Sequence, residues 1–271
     1  MKWRPRDITI AFRMIRSDID WDGMRKSYAQ AAPYPHVVID DFFEPGLAEA
    51  LERDIPPLND PSWMEYSNPI EEKRALNHWD RFPPTTYRVF ALLNGAFVAS
   101  LHRLTGIEDL HADSGLHGGG WHLHGRGGKL NVHLDYSLHP KLELERRLNL
   151  IVYLTSGWDP AWGGALGLWS HDAEAAGPKE LVNAVECRFN RAVIFDTTHA
   201  WHGLPDPIAC PEGVYRKSIA TYYLTPVREN ASTRGKALFA PHGEQSQDES
   251  VLELIRQRSD VASAPKTYRS K

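Results

Sequence analysis

Cysteine is scarce in this chain. Cys187 and Cys210 are the only two in 271 residues, too few for a disulfide framework, and a reduced cytoplasmic setting is the expectation. No apolar run approaches the ~20 residues needed to cross a bilayer. The opening MKWRPRDITIAFRMIRS mixes charges with short apolar stretches and lacks the apolar core and cleavage site of an export signal. A membrane partner is therefore not expected. Basic charge is not in excess either. The 31 Lys and Arg stand against 35 Asp and Glu, a formal net charge of -4, which leaves no positive footprint for a phosphate backbone and argues against nucleic acid as a partner. Repeats and low-complexity linkers are absent too, and the length suits one sizeable domain, monomeric or homodimeric.

Histidine and large aromatics, by contrast, are plentiful. There are nine Trp, ten Tyr and 13 His, and six of the histidines fall between His111 and His139. That enrichment opens the stretch from Asn131 to Ser218, which contains His133, Leu134 and Asp135. In an extended strand His133 and Asp135 point one way and Leu134 the other, so the pair forms a two-toothed clamp. His202 in the run His199, Ala200, Trp201, His202, Gly203 supplies a third ligand. Two imidazoles and one carboxylate on one face of a metal, with the remaining positions open, form the facial triad suited to Fe(II) and O2 chemistry. His199 is the rival third ligand, three residues upstream, and is otherwise a candidate to orient a ligand by a hydrogen bond. Downstream, Arg216 and Ser218 share a strand face, a guanidinium beside a hydroxyl, fit to hold a carboxylate in bidentate fashion.

The ordered segments GGKLNVHLDYSLHP, RRLNLIVYL, GWDPAWGGALGLW, VIFDTTHAWHGLPDP and YRKSIATYYLTP resemble the 2-oxoglutarate/Fe(II) dioxygenases of the prolyl-hydroxylase-like branch, over roughly residues 30 to 226. The resemblance implies a mainly β fold with flanking helices, a double-stranded β-helix or cupin-like jelly roll. It implies His133, Asp135 and His202 on Fe(II), with Gly203, Leu204 and Pro205 after His202 favouring it over His199. It also implies that 2-oxoglutarate is held by Arg216, Ser218 and Tyr153, with Asn149 and Leu166 as weaker contacts. The implied reaction uses O2, splits 2-oxoglutarate to succinate and CO2, and oxidises a substrate C–H bond, with ascorbate supportive in vitro. The carboxylate of Asp135 argues for hydroxylation over halogenation. Trp121, His122, His124 and Arg126, together with Trp162 in the loop from Gly157 to Gly164, are candidates to face the substrate. The absence of an obvious peptide-binding extension favours a small molecule or amino acid derivative, with a peptidyl-prolyl hydroxylase as the alternative. A zinc hydrolase using the same triad would leave Arg216, Ser218 and Tyr153 idle, and a non-catalytic cupin-like metal-binding protein would not need them.

Around this stretch the pattern predicts a helical support over residues 1–110, a jelly-roll core over 111–226 and a polar tail over 227–271. It predicts a strand over residues 8–12 (ITIAF), a short helix from Met24 to Gln30, a strand from Val37 to Ile39 and a helix from Gly46 to Ile55. Ser62 to Pro84 reads as a long loop, Thr85 to Leu104 as one long helix stopped by Gly106, and the glycine-dense run before His133 as a hairpin. In Leu148 to Leu154 the residues Leu148, Leu150, Val152 and Leu154 line the core face, while Asn149, Ile151 and Tyr153 line the metal face. Further strands are predicted at Ala165–Trp169, Cys187–Phe189, Ala192–Phe195 and Arg216–Leu224, and a helix at Ser250–Arg258.

Overall fold

The computed structural model describes residues 14–264, so the predicted strand over residues 8–12 lies outside the described residues. In chain order the elements are α1 (Arg25–Gln30), β1 (His36–Ile39), α2 (Pro45–Arg53), β2 (Met64–Asn68), β3 (Glu71–Leu76), α3 (Pro84–Leu93), α4 (Val98–Thr105) and β4 (His111–Ala112). Then come β5 (Gly120–His124), β6 (Lys129–Leu130), β7 (His133–Leu134), β8 (Glu145–Tyr153), β9 (Leu166–Asp172), β10 (Gly177–Val185), β11 (Ala192–Asp196) and β12 (Trp201–Gly203). The last three are β13 (Arg216–Thr225), β14 (Leu238–Phe239) and α5 (Glu249–Ser259). No described helix is long and apolar enough to cross a membrane.

The strands form two antiparallel sheets, one ordered β1-β11-β8-β13-β5-β3-β2 with β4 and β6 attached, the other β10-β9-β12-β7-β14. Tyr153, Val193 and Phe195 of the first sheet and Leu166 and Leu168 of the second share one buried cluster between them. This is the predicted double-stranded β-helix. The outer face of the larger sheet carries the main core, where Leu148, Leu150, Val152 and Ile219 pack on helical residues Leu51, Val89, Phe90 and Leu101. The period-two alternation of β8 thus buries both faces, one against helices and one against the opposite sheet.

Five sequence expectations are corrected. The predicted loop from Ser62 to Pro84 contains the β2–β3 hairpin, turned at Asn68, whose Oδ1 accepts from the amides of Ile70 and Glu71 at 3.0 and 3.1 Å. Its outer strand is almost all exposed or half-buried, so it carries no apolar alternation. The predicted single helix breaks into α3 and α4 at Asn94–Gly95, two poor helix formers, and the break lets Phe97 meet Trp21 and Phe42 edge-on at 5.6 Å each. The glycine-dense run is not a hairpin, because β5 and β6 both pair with β3 rather than with each other. The strand expected at Cys187–Phe189 lies earlier, at β10, whose residues are mostly exposed and hide the alternation. Finally, the predicted tail is part of the fold. β14 pairs with β7, and α5 seals Ile70 and Phe239 beneath Val251 and Ile255.

A buried ion cluster fixes α5. Glu71 is 1% exposed, with Arg258 bonded to one carboxylate oxygen and Lys73 Nζ 3.4 Å from the other. Burial alone would raise the Glu71 carboxyl, but Lys73 and Arg258 outweigh it and hold it below its ordinary value. A carboxylate depressed on folding contributes stability above its unfolded value and loses it as pH falls through the folded one. The melting-temperature gap between wild type and Glu71→Gln is therefore expected to narrow as pH drops from about 6 to about 3. Parallel curves in a pH series of thermal melts would refute this.

Candidate metal centre

The two sheets bring three distant side chains together. His133 on β7 and His202 on β12 are direct cross-strand partners, their ring centroids 4.3 Å apart, and Asp135 follows β7 by one residue. One ligand atom from each of His133, Asp135 and His202 lies within 4.8 Å of the others. His133 Nε2 is 3.7 Å from Asp135 Oδ1 and His202 Nε2 is 3.9 Å from Oδ2. All three side chains are at least 89% buried.

Backbone carbonyls orient both rings. His133 Nδ1 donates to the carbonyl of Asn131 at 2.9 Å and His202 Nδ1 to that of Ala200 at 2.8 Å, which leaves each Nε2 lone pair turned to the shared space. Phe239 stacks on His133 at 5.0 Å, and Phe195 meets His202 edge-on at the same distance. Burial, with His133 adding to it, pushes His202 down to about 4, so its imidazole is neutral at pH 7. Burial works to raise the Asp135 carboxyl, but Arg146 and the two imidazoles hold it well below the usual range. The result is two imidazole nitrogens and one anionic oxygen in a dry site, a donor set that fits Fe(II).

Arg146 was not predicted. Its Nη1 lies 3.0 Å from Asp135 Oδ2, its Nη2 donates to the carbonyl of His117 at 3.0 Å, and its guanidinium is clamped between the rings of Tyr136 and Tyr222, 3.5 Å from each. Nor was Arg234, which donates twice to the carbonyl of Asp135, at 3.0 and 2.7 Å, while its own carbonyl accepts from Ser137 and Leu138. Arg146 stands seven residues before Tyr153, but strict alternation places it on the core face. Arg234 and Phe239 carry no signal in the sequence, because they reach the site from a polar segment.

Beside the triad lies a polar socket on the inner face of the larger sheet. Arg216 is 3% exposed. Its Nε donates to the carbonyl of Gly164 at 2.7 Å, and its guanidinium sits over the Tyr153 ring at 4.7 Å. Gly164 has φ +80°, and a Cβ there would stand 2.9 Å from Arg216 Cδ. The loop from Gly157 to Gly164 thus braces Arg216, with Trp158 bonded back to Gly163 and Trp162 packed edge-on against Trp158. Ser218 is buried between its cross-strand partners His122 and Tyr153. Several buried polar atoms here lack partners: the Tyr153 hydroxyl, Asn149 Oδ1 and both ring nitrogens of His124. Such a group of unsatisfied buried atoms beside a buried guanidinium fits a dicarboxylate ligand. Leu166 packs against Tyr153 in the same wall.

Three predicted residues lie elsewhere. Trp121 is fully buried in the outer core, its indole donating to Thr86 Oγ1 at 3.3 Å, because it alternates away from His122 and His124. Arg126 is on a turn at the surface, bonded to the carbonyl of Cys210 and 3.6 Å from Glu212. His199 orients neither ligand: it is exposed and stacks on His171 at 5.2 Å.

Residues 119–247 match the family model of the 2OG-Fe(II) oxygenase superfamily. No curated protein matches the chain. A prolyl-4-hydroxylase from Pseudomonas putida superposes with a TM-score of 0.52 at 17% identity, over 76% of this chain and 99% of that one. A prolyl hydroxylase from Trichoplax adhaerens, in complex with a hypoxia-inducible factor peptide fragment, gives 0.52 at 14%, over 82% and 94%. A prolyl 4-hydroxylase from Phytophthora capsici gives 0.53 at 21%, over 96% and 78%. At these identities the likeness is one of fold. The family match spans residues 119–247, and the fold is the double-stranded β-helix that these structural neighbours share.

Proposed function

We propose that the chain hydroxylates a C–H bond of a small molecule or amino acid derivative, with His133, Asp135 and His202 holding Fe(II) and Arg216, Tyr153 and Ser218 holding 2-oxoglutarate. The observation that carries this is the pairing of a three-donor metal site with a buried guanidinium socket on the facing sheet. A zinc hydrolase or a passive cupin-like binder would have no use for the second feature. When bound, the metal supplies O2 activation, coupled to loss of CO2 from the 2-oxo acid.

The chain's own residues supply the rest. Arg216 neutralises the distal carboxylate, and the two carbonyl-anchored imidazoles keep their lone pairs aimed. Arg146 keeps Asp135 ionised. The close packing of Phe195 and Phe239 excludes water from around the rings. Support for a compact substrate comes from residues 226–240, which run back past Asp135 through Arg234 and fill the β7 edge with β14. An extended peptide adding a strand at that edge would find it occupied. The alternative is a peptidyl-prolyl hydroxylase, favoured by the shared fold, since one of the structural neighbours carries a bound peptide.

Succinate release from 2-oxoglutarate, screened with free amino acids, small metabolites and proline-containing peptides, separates these readings. Stimulation by peptides alone would remove the small-molecule reading. Arg216→Ala is expected to raise the 2-oxoglutarate concentration for half-maximal rate by 10-fold or more, since a charge-assisted bidentate pair contributes about 1.5–3 kcal/mol. Titration of succinate formation against 2-oxoglutarate checks it, and an unchanged requirement would move the cosubstrate elsewhere.

A further inference from the structure

His124 is the most unusual side chain in the socket. It is 3% exposed, and neither of its ring nitrogens has a partner. It is the cross-strand partner of Arg216, and its parity on β5 puts it on the inner face with His122, opposite the buried face that takes Trp121. A buried imidazole with two unmet polar atoms is costly unless a ligand or water completes it.

We propose that His124 is a specificity-determining residue for the cosubstrate, donating one ring N–H to the distal carboxylate that Arg216 neutralises. This rests on the cosubstrate reading above. Register supports it: along the inner face Arg216 stands opposite His124, and Ser218 opposite His122 and Tyr153. The Arg216–His124 pair thus forms one end of the socket. The electrostatics agree, since burial and then Arg216, Lys73 and His122 hold His124 well below its ordinary value. The ring is therefore neutral, with one N–H to give. A neutral donor beside a guanidinium adds a direction to a site that already has the charge, and it rewards only a ligand whose second carboxylate reaches that far. A 2-oxo acid without the distal carboxylate leaves the donor unmet.

The test is calorimetric binding to the full-length protein loaded with Mn(II), a redox-quiet stand-in, using 2-oxoglutarate and 2-oxobutyrate as probes. His124→Phe is expected to weaken 2-oxoglutarate binding about 10-fold or more while leaving 2-oxobutyrate binding unchanged. His124→Leu serves in its place if the phenylalanine protein does not fold. Equal losses for both probes, or no loss for 2-oxoglutarate, would overturn the role of His124 while leaving the cosubstrate site standing. Failure of the wild-type protein to bind 2-oxoglutarate would overturn both.

Discussion

An Asp135→Ala protein given Fe(II), 2-oxoglutarate and substrate is expected to release no succinate above the enzyme-free blank, and to melt earlier than wild type even without metal. Two separate losses are involved. The first is a metal donor: two imidazoles alone hold a divalent ion weakly and without the anionic oxygen that suits Fe(II). The second is the partner of Arg146, a guanidinium 2% exposed that lies 3.0 Å from Asp135 Oδ2. Removing one member of a buried pair leaves an uncompensated charge, which costs about 3–5 kcal/mol. His202→Ala shares only the first loss. It should be equally inactive, with a metal-free melting temperature nearer to wild type. The comparison needs succinate assays and thermal melts of metal-free protein. Full activity in Asp135→Ala would end the triad assignment, and identical melts for the two variants would end the role given to Arg146.

Arg258→Ala is expected to have the second largest effect, and it lies outside the jelly roll. It leaves the buried Glu71 with Lys73 as its remaining partner, a loss at the lower end of about 3–5 kcal/mol, which for a chain of this size lowers the melting temperature on the order of 10 °C. The damage should also travel. Arg258 stands over the Phe239 ring at 5.4 Å, and Phe239 stacks on His133. Once α5 loosens, β14 loses its outer support and Phe239 its fixed position. Mn(II) affinity should then fall several-fold, with the three ligands untouched. Thermal melts and metal titration check both halves. An unchanged metal affinity in a destabilised protein would show that α5 stabilises the fold without positioning His133.

Much of this site was legible in the sequence because its chemistry sits on well-paired strands. His133, Asp135, His202, Arg216, Ser218 and Tyr153 could be placed by order and strand parity, and the structure brings all six to the space between the sheets. Arg146 was hidden by a bulge. β13 pairs Tyr223 with Leu148 and then Leu224 with Arg146, so Arg147 is an extra residue on β8. It turns out to an ion pair with Asp196 at 3.2 Å, and the parity reverses there. Alternation read without that insertion puts Arg146 in the wrong layer. Trp121 differs in kind: it lies in a glycine-dense, histidine-rich run, yet strict alternation along β5 sends it to the core, away from His122 and His124. The β2–β3 hairpin and β14 were missed because strands at sheet edges, short or open to solvent, leave no apolar periodicity to read. Phe239 and Arg234 reach the centre by tertiary pairing alone.

Both imidazoles are held by the carbonyl two residues before them, of Asn131 and of Ala200, so no side chain selects their tautomers. Where a carboxylate does that job, a single substitution can turn the ring over. Here the equivalent change would have to move a peptide plane within two strands that pair directly with each other. Random mutagenesis should therefore find few inactive variants that keep the triad and lose ring orientation, and the ligand geometry should persist until β7 and β12 themselves separate.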